Sequence, residues 1–316
     1  QKSLSVLQWM DIAIVVCAAG TWSEHEENIL RQTKTNATPT IIVFNKVDLA
    51  QVDEPLVAKL RKEGYRVVLT SAVERKGIDE LRTAIVETVL SQTEPDRPLM
   101  GELAKAGDTV LLVTPIDTGA PKGRLILPQV QAIRELLDAG AKCLVIKEDR
   151  ITETLAELKK APDLVVTDSQ VILRVVKEVP EPIPVTTFSI QMAYSKSDLF
   201  ALAEGAAALT KLQPGDKVLI AETCSHHPLK DDIGRVKLPN WLKSVVGDVQ
   251  IHVAVGKDFP TDLTPYKVII QCGGCIVTRR HMLARLREAR AQGVPMTNYG
   301  IAISHLQGVL ERTLSP

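Results

Sequence analysis

The stretch Ile41-Ile42-Val43-Phe44-Asn45-Lys46-Val47-Asp48 sets the first part of the fold, because four apolar residues run straight into a polar turn. An apolar run without alternation suits a strand covered on both faces, as in a parallel sheet. Two similar runs flank it: Ile12-Ala13-Ile14-Val15-Val16-Cys17 upstream and Arg66-Val67-Val68-Leu69-Thr70 downstream. Helical patterns at about 24–33, 55–63 and 78–90 alternate with these runs. The order β-α-β-α-β-α predicts a doubly wound parallel sheet.

Beyond the polar junction Thr93-Glu94-Pro95-Asp96-Arg97-Pro98 the pattern restarts. Strands are expected at 109–114, 142–146, 164–167 and 184–187, and helices near 128–139, 152–160 and 169–176. A second proline-rich stretch, Val179-Pro180-Glu181-Pro182-Ile183-Pro184, marks the next junction. After it come a helix from about 196 to 212 and strands at 217–221, 249–253, 267–270 and 294–297. Helices near 239–246, 278–292 and 300–312 complete the pattern. The expected fold class is therefore α/β, with three consecutive modules of mainly parallel sheets flanked by helices at 1–92, 93–190 and 191–316. A chain of 316 residues, at roughly 150 per domain, has room for two or three.

Composition removes several classes of function. Lys plus Arg is 38 and Asp plus Glu is 38, so the formal charge is zero. That balance gives no basic footprint for nucleic acid or for an acidic membrane. Aromatic residues are 3%, which argues against base-stacking platforms. The longest apolar runs, such as 12–19, are strand-sized, well short of the ~20 residues that span a bilayer. The N-terminal Gln1-Lys2-Ser3 does not read as a signal peptide. Five cysteines are too few for a disulfide framework, and three of them stand beside histidine or each other. A reducing cytoplasm and a metal site are the expectation.

Asn45-Lys46-Val47-Asp48 and Ser71-Ala72 together resemble the guanine-reading motifs N-K-x-D and S-A of Era-like GTPases. A carboxylate at Asp48 accepts two hydrogen bonds from the guanine N1–H and exocyclic amine, and the Lys46 stem can lie along the base. Asn45 would tie the two loops together, and the Ala72 amide can reach O6. Both motifs fall at carboxyl ends of strands, where open α/β sheets bind ligands. GTP and Mg²⁺ are the cofactors this implies for the intact protein. No G-x-x-x-x-G-K-[ST] loop occurs among these residues, and no D-x-x-G follows an early strand. The first module therefore reads as a truncated P-loop GTPase domain, and hydrolysis is not expected of this chain by itself.

The third module carries Glu222-Thr223-Cys224-Ser225-His226-His227-Pro228 and, later, Gln271-Cys272-Gly273-Gly274-Cys275. Each follows an expected parallel strand at its carboxyl end, so Cys224 can meet Cys272 and Cys275 across 47 intervening residues. A structural zinc would recruit His226 as fourth ligand to make Cys₃His. An iron–sulfur cluster would use the three cysteines and leave one iron for an exchangeable ligand. A redox dithiol at Cys272 and Cys275 is a third reading. Cys17 and Cys143 lie inside apolar strands as core thiols, and His252, His281 and His305 read as structural. In the middle module, Asp117, Lys122 and Arg124 lie in a long loop that suits a solvated surface or subunit contact better than an anion site.

Cys224-x-His226, followed after 44 residues by Gln271-Cys272-x-x-Cys275, looks like the C-x-H…[H]-C-x-x-C signature of the HydF family of [FeFe]-hydrogenase maturation GTPases. Ala120-Pro121-Lys122-Gly123-Arg124 and Thr297-Asn298-Tyr299-Gly300 are family-like as well, and the order of modules matches. The resemblance implies a GTPase domain, a dimerisation domain and a cluster domain holding a [4Fe-4S] cluster on Cys224, Cys272 and Cys275. It implies a scaffold that accepts a diiron precursor assembled with radical-SAM maturases and delivers it to apo [FeFe]-hydrogenase. His226, Glu222, another carboxylate, water or the cargo are candidates for the fourth cluster position. Gln271 stands where many members have histidine, and a neutral amide is a poor iron ligand. The rival reading is a zinc-stabilised regulatory GTPase.

Overall fold

The computed structural model describes residues 10–92, 97–101, 103–116, 123–223 and 232–314. The chain divides into two compact units, Gln1–Pro95 and Asp96–Pro316. In the first, strands β1 (Ala13–Ala18), β2 (Thr40–Asn45) and β3 (Arg66–Leu69) alternate with helices α1 (Glu24–Thr35), α2 (Glu54–Lys62) and α3 (Ile78–Gln92). The strands form one parallel sheet in the order β1-β2-β3. Ile42 and Phe44 pack with Leu30, Val57 and Leu60 on one face, while Ile41 and Val43 pack with Ala84 on the other. Two covered faces are why the β2 stretch shows no alternation. Ser23 starts α1 with a capping box to Glu26, and the Asp53 side chain starts α2 by accepting from the Leu56 amide.

The second unit holds two four-stranded parallel sheets. The first contains β4 (Thr109–Val113), β5 (Lys142–Ile146), β6 (Leu164–Thr167) and β7 (Val185–Thr187), in the order β5-β4-β6-β7. Its helices are α4 (Leu127–Asp138), α5 (Ile151–Glu157), α6 (Ile172–Glu178), α7 (Phe188–Lys196) and α8 (Leu199–Ala206). The second sheet contains β8 (Lys217–Glu222), β9 (Gln250–Val255), β10 (Val268–Gln271) and β11 (Met296–Asn298) in the order β9-β8-β10-β11. Helices α9 (Leu238–Val246), α10 (Arg279–Ala291), α11 (Tyr299–Leu306) and α12 (Leu310–Leu314) belong to it.

The two sheets share strand order and hydrogen-bond register. Val110 pairs with Cys143 and Leu164, as Val218 pairs with Ile251 and Val268. Val165 pairs with Val185, as Ile269 pairs with Met296. By this register Thr114 corresponds to Glu222, Asp168 to Cys272, Phe188 to Tyr299 and Ser189 to Gly300. The correspondence extends to packing. Helix α8, which follows the first sheet, packs on β11 of the second, and α12, which follows the second, packs on β7 of the first. Corresponding residues also meet, since the Gly300 amide donates to Ser189 Oγ at 3.0 Å. Self-contact of matched positions is what a local twofold axis produces. One buried cluster runs through both sheets, joining Leu111 and Val165 to Leu219 and Ile269.

Two helices expected as single elements are divided. The stretch 196–212 is not one helix: α7 ends at Lys196, Ser197 is extended, and the Asp198 side chain starts α8 by accepting from the Ala201 amide at 3.1 Å. The stretch 300–312 divides into α11 and α12, with Gly308 at φ +71° between them. Among the described residues no helix is long and apolar enough to cross a membrane.

Candidate functional site

Strands β8 and β10 are neighbours, so their carboxyl ends stand side by side. The Cys272 amide donates to the Ala221 carbonyl at 2.9 Å, which continues the ladder one step past the strand. The Thr223 amide then donates to Cys272 Sγ at 3.2 Å, and Thr223 Oγ1 lies 3.2 Å from the same sulfur. Gln271 Nε2 also donates to that sulfur, at 3.5 Å. Gln271 is fully buried, and its Oε1 accepts from Arg285 Nη1 at 2.9 Å.

Cys275 has different surroundings. It borders the apolar cluster that contains Leu99, Phe188 and Met192. The turn between the cysteines needs one particular glycine. Gly274 has φ +68°, and a Cβ there would stand 2.6 Å from Met282 Sδ. Gly273 has no such requirement, because among the described residues a Cβ there meets nothing closer than 3.7 Å.

Glu222, at the end of β8, is 1% exposed. Its Oε2 accepts from Arg235 Nη2 at 2.9 Å, and Tyr299 Oη donates to Oε1 at 3.5 Å. Burial, with Cys272 and Glu222 close by, pushes the Tyr299 hydroxyl well above the ordinary tyrosine range. Tyr299 therefore stays a proton donor to the carboxylate. Burial lowers the Arg285 pKa, and the neighbouring Cys272 opposes that shift.

Cys224, His226 and His227 lie outside the described residues, as do Asp117 and Lys122. Among the described residues no three His, Cys, Asp or Glu side chains are grouped closely enough to hold a metal ion. The donors on Cys272 nevertheless suit iron–sulfur ligation, in which hydrogen bonds to the ligating sulfur set the properties of the centre. Arg285 and Arg235 carried no sequence signal as site residues, and Thr223 and Tyr299 stood in the quoted stretches without a role of their own. Arg285 is 14 positions past Gln271, on the helix after the cysteines, with nothing in its spacing to single it out.

The other candidate residues lie in the first unit. Asn45 Oδ1 accepts from Thr70 Oγ1 at 3.1 Å and from the Ala72 amide at 3.2 Å, so this side chain joins the loops after β2 and β3. Lys46 has φ +63°, and the chain turns there while the Val47 amide bonds the Thr70 carbonyl. Ser71 is buried and its Oγ accepts from the Glu74 amide, whereas Lys46, Asp48 and Ala72 are exposed. The Ala72 amide is thus engaged by Asn45. Cys17 is buried, which with Glu26 pushes its thiol up to about 11 and keeps it inert. His252 bonds the Tyr266 hydroxyl.

The chain is similar to known proteins in two ways. The chain is similar over 136 residues to the tRNA modification GTPase MnmE of Trichormus variabilis, at 35% identity, covering 42% of this chain and 26% of that protein. It is similar to the MnmE of Bacillus cereus at 28% identity, covering 38% of this chain and 28% of that protein. The chain thus spans about a quarter of the length of these relatives. The hydrogen maturase F dimerization domain matches residues 99–197, and the hydrogen maturase F tetramerization domain matches residues 200–316. With consecutive domains of one family accounting for both sheets of the second unit, the chain belongs to the hydrogen maturase F family.

Proposed function

We propose that the third module holds a [4Fe-4S] cluster on Cys224, Cys272 and Cys275, and that the intact protein is a scaffold GTPase. It would carry a diiron precursor, received through radical-SAM maturases, to apo [FeFe]-hydrogenase in a reducing cytoplasm. The observation that carries this reading is the convergence on the Cys272 sulfur at the ends of two adjacent strands. Thr223 touches that sulfur, and Cys224 is the next residue in the chain. When bound, such a cluster supplies an iron open to a passing ligand. The chain's part is to grip through thiolates and to keep polar groups near. Glu222, held by Arg235 and Tyr299, is a carboxylate at the same rim that can exchange partners more readily than a thiolate; His226 is the alternative donor.

Asn45, Lys46, Asp48, Ser71 and Ala72 would read guanine, with GTP and Mg²⁺ bound by the intact protein. The nucleotide then acts as a switch on partner exchange. The middle module would make the dimer. Domains 1–92, 93–190 and 191–316 divide these roles.

The test is anaerobic purification with iron, sulfide and zinc quantified. About four irons per chain and a broad absorption near ~400 nm support a [4Fe-4S] centre. One zinc and no iron would favour a zinc-stabilised regulatory GTPase. For the nucleotide, Asp48→Asn in the intact-length protein is expected to weaken discrimination of GTP from ATP. Unchanged discrimination would overturn the guanine assignment.

A further inference from the structure

We propose that Gln271 is not a cluster ligand but a hydrogen-bond donor to the Cys272 sulfur, aimed by Arg285, and that it raises the reduction potential of a cluster held there. This rests on the cluster reading above.

The orientation of the Gln271 amide follows from chemistry. Arg285 is a donor without acceptor capacity, so the Gln271 atom 2.9 Å from its Nη1 is the carbonyl oxygen. The amide NH₂ is then the end that faces Cys272 Sγ at 3.5 Å. Arg285 is itself fixed. It is 5% exposed, its Nη2 donates to the Gly256 carbonyl at 2.8 Å, and its Cζ lies 4.6 Å from the centre of the Phe259 ring. A guanidinium held on three sides cannot rotate away, so neither can the amide it clamps. The Thr223 amide is a second N–H donor on the same sulfur.

These contacts act in one direction. One-electron reduction adds negative charge to a cluster and its sulfur ligands. N–H groups and a buried cation beside the sulfur favour the more negative state. The electron comes from a low-potential donor such as dithionite; no bond in Gln271 or Arg285 forms or breaks, and no proton moves. Cys275 lies beside the apolar cluster around Met192. Gln271 thus touches the ligating sulfur directly, and Arg285 is a positioning residue that works through it.

The experiment is a potentiometric titration of the reconstituted full chain, followed by electron paramagnetic resonance, with iron and sulfide counted in each sample. Wild type is compared with Gln271→Leu, which removes the donor, and with Gln271→Glu, which keeps the contact to Arg285 but turns an acceptor toward the sulfur. Equal iron in all three is expected, with the midpoint falling from wild type to Gln271→Leu to Gln271→Glu. Equal iron with an unchanged midpoint in both variants overturns the proposal. Loss of iron from both variants, each shown folded by circular dichroism, also overturns it, by making Gln271 necessary for holding the metal. A wild-type protein without iron ends the cluster reading itself, and so is told apart from failure of the donor role. Arg285→Lys is expected to shift the midpoint in the same direction as Gln271→Leu, because a single ammonium cannot hold both Gln271 and the Gly256 carbonyl in that geometry.

Discussion

The middle sheet (β5-β4-β6-β7) and the third sheet of the chain (β9-β8-β10-β11) are one design used twice, and they differ where the strands end. In the middle sheet the end positions close on one another. Thr167 Oγ1 donates to the Val113 carbonyl at 3.1 Å, and Gln129 Nε2 donates to Asp168 at 2.6 Å. In the third sheet the corresponding positions hold Gln271 and Cys272, and the donors of Gln271 and Thr223 converge on a sulfur instead. Identical register places the side chains; their chemistry decides whether the rim satisfies itself or offers a ligand. A fold of this kind supplies positions, and function is grafted on them.

The sharpest way to break this contrast is to remove the matched side chain from each rim in turn. Cys272→Ala is expected to abolish iron binding in an anaerobically reconstituted chain, from about four irons to near none. Asp168→Ala, at the matched position of the middle sheet, is expected to leave the iron count at the wild-type value. Equal iron in the two variants would mean that the rims do not differ in the way described.

The next effects concern the reciprocal helices. Gly205 on α8 sits so close to β11 that a Cβ would stand 1.9 Å from the Met296 carbonyl oxygen. A backbone oxygen in a strand cannot retreat. Gly205→Ala is expected to cost about 3 kcal/mol of overpacking, against ~1 kcal/mol gained by alanine in a helix. The net loss, about 2 kcal/mol, would be read from the urea midpoint at constant slope. On the other side of the exchange, Thr186 Oγ1 donates to the Thr313 carbonyl at 2.9 Å and accepts from Gln191 Nε2 at 2.8 Å. Thr186→Val keeps the shape and removes both bonds, for an expected loss of about 1 to 2 kcal/mol. A Gly205 variant as stable as wild type would mean that α8 does not need its close seat on β11.

Much of this frame was legible in the chain. Runs such as Val165-Val166 and Ile269-Ile270 read as buried strands because both faces of each sheet are covered. The break between α7 and α8 was hidden by helix formers on both sides of Ser197, and Asp198 shows its capping role only through its contact with the Ala201 amide. The duplication was hidden for a related reason. Register conserves apolar character, not identity, and at the rims the matched residues differ in chemistry. The cysteine spacing pointed to the loop after β10, but the polar groups around Cys272 did not follow from it. Arg285 and Tyr299 reach the site from other elements, and no local pattern links them to Cys272. Gln271 was legible as a poor ligand; that the same amide is a good donor required the position of Arg285.

The smallest effect separates the two sheets by pH. Residues 96–223 contain no histidine, whereas α10 of the third sheet carries His281. Burial, with Arg285 nearby, lowers the His281 imidazole from 6.5 to about 4. The folded protein therefore keeps His281 neutral at pH values where the unfolded chain has already taken up a proton. The stability tied to the neutral ring is intact above pH 6.5 and is lost as the pH falls from there toward 4. His281 is only partly buried, so solvent screening reduces the effect to a fraction of the full shift. Between pH 7 and pH 4.5 the wild type is expected to lose on the order of 1 °C more in Tm than His281→Gln, which cannot titrate. Calorimetric scans of both proteins in matched buffers measure the difference, and carboxylates common to the two cancel from it. Parallel pH profiles would show that His281 is as free to protonate in the folded chain as in the unfolded one. The burial of the α10 N-terminal turn would then be looser than its contacts with the Ser195 and Ser197 carbonyls indicate.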